Sequence, residues 1–199
     1  MAPSQHVRIA DSDGILTFTL TRDEKLNAVS PVMIEQLRKA VTDLAERDDL
    51  RVLVIAAEGR YFTAGVDIGA MEGNTRGVGP TGHFSSARLR QDYRKLHLLF
   101  DEIEAIEKPV ILAAHAPCLG VGVEFSASCD FRITAEGAVF RRPEVANLGV
   151  IPGSEGISRV TCLIGALGEM ARHGRGERRR PARLDHGTCA RRPPCRPVR

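Results

Sequence analysis

The stretch VILAAHAPCLGVGVEFSASCD, Val110–Asp130, sets the architecture. It opens on Val110–Ala114, a short continuous apolar run of the kind shown by a buried strand in a mainly parallel sheet. Gly120-Val121-Gly122 supplies a turn, Val123–Cys129 reads as an apolar helix, and Phe131–Ala135 returns as a strand. Strand, glycine-bearing turn and helix in that order predict an α/β fold.

The same order recurs upstream. Arg51–Ala57 (RVLVIAA) is a second buried strand, followed by the turn Ala64-Gly65-Val66-Asp67. Before it, Ser30-Pro31 forms an N-cap with proline at the first helical position, and Met33, Leu37, Ala40, Val41 and Leu44 recur at spacings of three and four. That pattern predicts an amphipathic helix of about four turns. Val7–Ala10 and Ile15–Leu20 are β-rich runs joined by Ser12-Asp13-Gly14, which predicts a hairpin. Gly69–Ser86 reads as a mobile loop. Beyond it Leu89, Tyr93, Leu96, Leu99, Phe100, Ile103 and Ile106 keep helical spacing up to Lys108-Pro109.

The chain has 199 residues, 43% apolar, 27% charged and 5% aromatic with no Trp, which excludes collagen-like, coiled-coil and disulfide-scaffold classes. Its apolar runs are far short of the roughly 20 residues of a membrane span, and Met1–Ala10 has no signal-peptide core. No membrane partner and a cytoplasmic location are therefore expected. Five irregularly placed Cys (118, 129, 162, 189 and 195) form neither CxxC pairs nor an even disulfide set, so they read as buried or incidental thiols.

The net charge of +3 conceals a division. Ala166–Arg199 carries ten Arg and three acids, +7, leaving −4 for residues 1–165. This stretch has only three branched aliphatics and four of the 11 prolines, too little to bury a core. The expected organisation is a core over 1–165 and a disordered Arg/Pro-rich tail over 166–199. Ten Arg without aromatic interleaving or a module signature give no case for nucleic-acid binding. One permissible back-translation of Ala166–Pro194, read one nucleotide later, yields a helix-like and then a strand-like stretch, as a shifted reading frame would.

Both glycine turns follow predicted strands. At strand carboxyl ends in an α/β sheet, glycine lets a ligand approach the backbone, and freed N–H groups attract negative charge, so the pair could polarise a carbonyl. Either turn alone is a weak signal that reads more readily as structural, and neither matches a nucleotide-binding glycine motif. Glu124 lies in the otherwise apolar stretch Val121–Cys129, where it is either an acid at an exposed helix edge or a tuned acid or base. Glu144, in Arg141-Arg142-Pro143-Glu144, alone would be a solvated charge paired with Arg. Two carboxylates beside a polarised carbonyl would make a proton-transfer site. His6, His83, His97 and His115 lack metal-ligand spacing and read as surface or core residues; no metal site is expected.

Several ordered segments together resemble the enoyl-CoA hydratase/isomerase, or crotonase, superfamily: RDEKLNA (22–28), GRYFTAGVDIGAM (59–71), Lys108-Pro109-Val110, GVGVEFSASCD (120–130) and FRRPEVANLGVIPGSEGISR (140–159). The resemblance covers Val7–Gly165. It implies a crotonase-like repeated ββα spiral with mainly parallel sheets, lacking the usual C-terminal helical segment. It also implies that Val66 and Val121 donate backbone N–H groups to a thioester oxygen while Glu124 and Glu144 activate water for addition to a 2-enoyl-CoA. Because these donors are backbone groups, valine keeps the chemistry possible while narrowing the cavity. The matching positions for recognising coenzyme A are Lys25, Leu26, Ala28, Ala64, Asp67 and Ile68, with coenzyme A a part of the acyl-CoA substrate and no separate cofactor.

Gly69 stands where many relatives have a basic residue, and His115-Ala116 replaces the usual Asn-Gly. Relatives also continue beyond the position of Gly165 with helices that close the acyl pocket and help build a homo-trimer or hexamer. The expectations are thus an enoyl-CoA hydratase, with an enoyl-CoA isomerase as the enzymatic rival and a truncated, catalytically impaired remnant as the non-enzymatic one.

Overall fold

A computed structural model describes residues 6–67, 70, 86–144, 146 and 156–173, with residues 86–90, 92 and 165–173 described as backbone. The hairpin forms as predicted, β1 (Val7–Ser12) running antiparallel to β2 (Ile15–Leu20). From β2 the sheet continues parallel through β3 (Val52–Ala57), β4 (Val110–Ala114) and β6 (Phe131–Thr134), in the order β1-β2-β3-β4-β6. Register aligns Leu16 with Leu53 and Val110, and Phe18 with Ile55 and Leu112. Side chains alternate along a strand, so these six stand on one face. All six are buried in the main core. The strands are less enclosed than continuous apolar runs implied: Val52, Val54, Ile111 and Ala113 on the opposite face are half-buried.

Helix α1 (Pro31–Glu46) packs its stripe of Met33, Leu37, Ala40, Val41 and Leu44 into that core. Ser30 caps it, the hydroxyl accepting from Met33 N–H at 3.3 Å with Pro31 following. Lys108 closes the other end by donating to the Leu44 and Arg47 carbonyls at 2.8 and 2.7 Å. The Lys-Pro motif therefore ends α1 at the point where β4 begins. Helix α2 (Ser86–Ala105) contributes Leu96, Leu99, Phe100 and Ile103 to the same core. The predicted loop Gly69–Ser86 lies outside the described residues except Ala70 and Ser86.

Helix α3 (Val121–Ser128) starts two residues earlier than its pattern predicts, inside the glycine turn, and every one of its residues is buried. Ser126 and Ser128 satisfy their hydroxyls on the Val123 and Phe125 carbonyls. Arg132 caps the helix by donating to the Ser126 and Cys129 carbonyls, both at 2.8 Å. Two short strands, β5 (Cys118–Leu119) and β7 (Phe140–Arg141), pair in parallel beside the start of α3.

Helix α4 spans Gly156–His173. Residues 166–173 are therefore helical, where composition placed the beginning of a disordered tail; residues 174–199 lie outside the described set. Ala166, Leu167, Glu169, Met170, Ala171 and Arg172 are strong helix formers, so propensity carries the helix on after its apolar stripe thins. Cys118 and Cys129 are buried and unbridged, and burial pushes the Cys129 thiol up to about 12. Among the described residues no helix is long and apolar enough to cross a membrane.

Beyond β2 the chain makes a tight 3₁₀ turn (Asp23–Lys25), then places Leu26 and Asn27 in the left-handed region with φ of 52° and 53°. Such residues cost roughly 1–2 kcal/mol each and persist only where other contacts over-determine them. Asn27, with 0% exposure, supplies those contacts. Its amide donates to the Glu58 and Tyr61 carbonyls at 2.7 and 2.9 Å and accepts from Arg22 N–H at 2.7 Å. Replacing Asn27 with Ala leaves two carbonyls and one N–H without their partner, and urea unfolding should show a loss of about 3 kcal/mol. A loss below about 0.5 kcal/mol, the level of an ordinary surface change, would show that this amide does not hold the turn.

Candidate active site

Three connections leave the carboxyl ends of adjacent parallel strands: 21–30 after β2, 58–67 after β3 and 115–120 after β4. This is the edge where α/β sheets bind ligands. The first two are laced into a backbone ribbon. Ala64 N–H donates to Leu26 C=O (2.9 Å), Val29 N–H to Gly65 C=O (2.7 Å) and Asp67 N–H to Val29 C=O (3.0 Å). Five of the six positions matched to coenzyme A recognition are thus brought together: exposed Lys25, and half-buried Leu26, Ala28, Ala64 and Asp67. Ile68 lies outside the described residues.

In the parallel bridge between Val29 and Val66, it is Gly65 C=O and Asp67 N–H that face Val29. The amide of Val66 itself is consequently directed to the other side. Val121 N–H lies in the first turn of α3, where helix geometry provides no intrahelical acceptor. The two turns abut. A Cβ on Gly65 would stand 3.7 Å from Gly120 Cα, and one on Gly120 would stand 3.4 Å from Gly65 Cα. Both glycines have positive φ, 103° and 56°, which side-chain-bearing residues rarely adopt. The valine side chains pack against the core, so each contributes its backbone to this edge.

Glu124, one turn along α3 from Val121, is 3% exposed and the only charged residue of that helix. Burial sets aside the exposed-edge alternative. Glu144 arrives by a different route: Gly120 N–H donates to Arg141 C=O at 2.9 Å and β7 pairs with β5, which carries the chain three residues on to the glycine turn. The Oε2 oxygen of Glu144 is shielded from solvent, 3.6 Å from where a Cβ on Gly120 would be, and Arg142 beside it is buried. This pattern differs from a solvated surface carboxylate.

Three residues tied to this site by contact or charge were not singled out by sequence spacing. Tyr93 of α2, read there only as part of an apolar stripe, has its phenol pushed up by burial and then by the charges of Glu124 and Glu144. Its hydroxyl thus shares the electrostatic environment of both carboxylates. Thr63, buried, donates from Oγ1 to Asn27 C=O (2.7 Å) and accepts from Gly65 N–H (3.2 Å). Arg22 donates to Asp67 Oδ2 at 2.6 Å and to Ala28 C=O at 3.2 Å. A charged pair separated by 45 residues leaves no signal in local spacing.

The sequence pattern of the enoyl-CoA hydratase/isomerase family matches residues 10–175, and the chain belongs to that family. Among relatives, the crotonyl-CoA hydratase of Syntrophomonas wolfei is 31% identical over 162 residues, covering 81% of this chain and 58% of that protein. A peroxisomal Delta(3,5)-Delta(2,4)-dienoyl-CoA isomerase of Arabidopsis thaliana is 27% identical over 172 residues, covering 82% of this chain and 59% of that one. The crystal structure of an enoyl-CoA hydratase from Bacillus anthracis superposes with a TM-score of 0.75 at 27% identity, over 86% of this chain and 64% of that one. The chain spans less than two thirds of each of these proteins, and the shared part has the crotonase fold.

Asp67 gives a measurable handle on the scaffold. Burial alone would raise its carboxyl, but hydrogen bonds from Arg22 and Ala70 N–H, with the charges of Arg22 and Lys25, outweigh this and hold it below the usual carboxylate range. A depressed carboxylate contributes stability above its unfolded value and loses it as pH falls through the lower folded value. At neutral pH Asp67→Asn should therefore be less stable than the parent, and the gap should close as pH falls below about 4. Denaturant midpoints measured across that range check this; a gap independent of pH would detach the effect from ionisation.

Proposed function

We propose that this edge binds the thioester of a 2-enoyl-CoA and adds water reversibly across its double bond. The observation that carries the reading is a buried Glu124 and a solvent-shielded Oε2 oxygen of half-buried Glu144, on elements that both meet the Gly120–Val121 turn. Val66 and Val121 N–H would stabilise the enolate-like thioester oxygen as negative charge develops there. The water oxygen bonds to Cβ as one glutamate takes its proton, and a proton is delivered to Cα from the carboxyl pair, leaving a 3-hydroxyacyl-CoA. Coenzyme A belongs to the substrate, and no further cofactor enters the scheme. Its adenine and ribose phosphate would lie along the ribbon of Leu26, Ala28 and Ala64 with exposed Lys25 at the phosphate. Asp67, engaged by Arg22, would shape that ribbon.

An enoyl-CoA isomerase is the second reading, supported by the dienoyl-CoA isomerase among the relatives. It would need the oxyanion donors and a base but no activated water. Following crotonyl-CoA consumption and 3-hydroxybutyryl-CoA formation separates the two, with 3-enoyl-CoA conversion as the comparison. Hydration should fall by at least about 100-fold in Glu124→Gln and in Glu144→Gln, the scale expected for a positioned acid or base. Double-bond migration without hydration would favour the isomerase. No turnover of either substrate by the chain would overturn both readings.

The oxyanion assignment is tested separately at Val121, the first residue of α3. Proline is tolerated there because its missing N–H has no intrahelical acceptor. Val121→Pro should abolish turnover while leaving the fold intact by circular dichroism, and Val121→Ala should lower kcat by less than about tenfold. Equal damage from both would assign the effect to the side chain.

A further inference from the structure

Gly156 is the first residue of α4 and is buried. Its φ lies outside the left-handed region, so the backbone itself places no demand for glycine. The surroundings do. A Cβ at this position would overlap Glu124 Cγ and stand 2.5 Å from Glu124 Cδ and 2.6 Å from Oε1. The overlapped atoms run from Cγ to the carboxylate itself, so room for a methyl group is made only by turning the Glu124 side chain out of this rotamer. Val160, one turn further along α4, packs with Val123 and Ala127 of α3, so the two helices cannot slide apart without opening that cluster. Arg159, three residues along α4 from Gly156, ties the helix to α2. Its guanidinium is 5% exposed on the side chain, pairs with Asp101 and Glu104 of α2, and lies 5.8 Å from the centroid of the Phe100 ring. Phe100 in turn stacks on Phe125 of α3 at 5.9 Å.

We propose that Gly156 is a positioning residue for Glu124: the absent side chain forms the slot that holds this carboxylate in its working rotamer, and the α2–α3–α4 packing keeps the slot closed. The inference rests on Glu124 acting as an acid or base in the reading above. A methyl group in the slot displaces the carboxylate while leaving the donors on Val66 and Val121, and the ribbon at 22–67, in place. The effect therefore falls on kcat and spares KM.

The test is a pair of double-mutant cycles. In the first, kcat for crotonyl-CoA hydration is measured for Gly156→Ala, Glu124→Gln and the double variant. Gly156→Ala should lose at least about tenfold in kcat with KM within about twofold, and the double variant should be no slower than Glu124→Gln alone. Full additivity, or kcat within about twofold of the parent, would overturn the proposal. The second cycle needs no activity. Gly156→Ala should lower the urea midpoint of the parent but leave that of Glu124→Ala unchanged or higher, because the clash is gone and alanine favours a helix. Equal destabilisation in both backgrounds would overturn the slot. If the parent itself does not hydrate crotonyl-CoA, the proposed reaction fails, and the second cycle still decides whether Gly156 shapes the Glu124 rotamer.

Discussion

Thr63 is the joint on which the site depends. Its hydroxyl bridges Asn27 C=O and Gly65 N–H, and its backbone is drawn to the connection after β4: Leu119 N–H donates to Thr63 C=O at 2.9 Å and Thr63 N–H to Pro117 C=O at 3.3 Å. Its methyl fills the space above Gly122, where a Cβ would overlap Thr63 Cγ2 and stand 2.8 Å from Cys118 Sγ. One buried residue thus links the three connections that leave β2, β3 and β4, its hydroxyl reaching the first and its backbone the third. Valine would preserve the methyl contact and lose the bridge, leaving a buried carbonyl and N–H unpaired. Serine would keep the bridge and leave the space over Gly122 unfilled.

The cost of this arrangement is spread along the chain. Leu26 and Asn27 hold unfavourable backbone angles, and α3 takes a carboxylate into a wholly buried helix. Both are tolerable because the segments around them are separately fixed. The 3₁₀ turn is closed by Leu26 N–H on Asp23 C=O at 2.8 Å and Asn27 N–H on Arg22 C=O at 2.9 Å, and α3 is capped by Arg132. Under the proposed function, strain kept in place by surrounding contacts would allow a backbone N–H to be aimed at a ligand instead of at a carbonyl of its own chain.

The elements with a strong apolar period were legible in the sequence: all five residues assigned to the buried stripe of α1 are buried, and both β1–β2 and the parallel order of β3 and β4 follow from their runs. Site residues were legible to the extent that their chemistry contradicted their surroundings. Glu124 stands out because carboxylates are rare in apolar helices. The remaining features are tertiary. Tyr93 is indistinguishable from a core residue by spacing, since its meaning comes from carboxylates contributed by α3 and the segment after β7. Strands β5 and β7 have two residues each, too few to show alternation, yet they deliver Glu144 to Gly120. Gly156 looks like any small residue near a helix start until the Glu124 side chain is seen lying across it.

A division of labour between backbone and side chains follows from this layout, and it bears on how the family tolerates divergence near 30% identity. In the proposed reaction the polarising donors are peptide N–H groups, so their supply would depend on the path of the chain and not on the residue that bears them. Valine at 66 and 121 is compatible with that role because both side chains turn into the core. The path itself depends on few groups that cannot be exchanged freely: Asn27 and Thr63 for their hydrogen bonds, Gly65 and Gly120 for positive φ. The carboxylates proposed for proton transfer, Glu124 and Glu144, obey the opposite rule. They are side chains, so each can be gained or lost by one substitution while the polarising frame persists. If the proposed function holds, a single scaffold of this kind would keep a thioester in the same place and vary what happens at its carbon atoms, according to which carboxylates reach them.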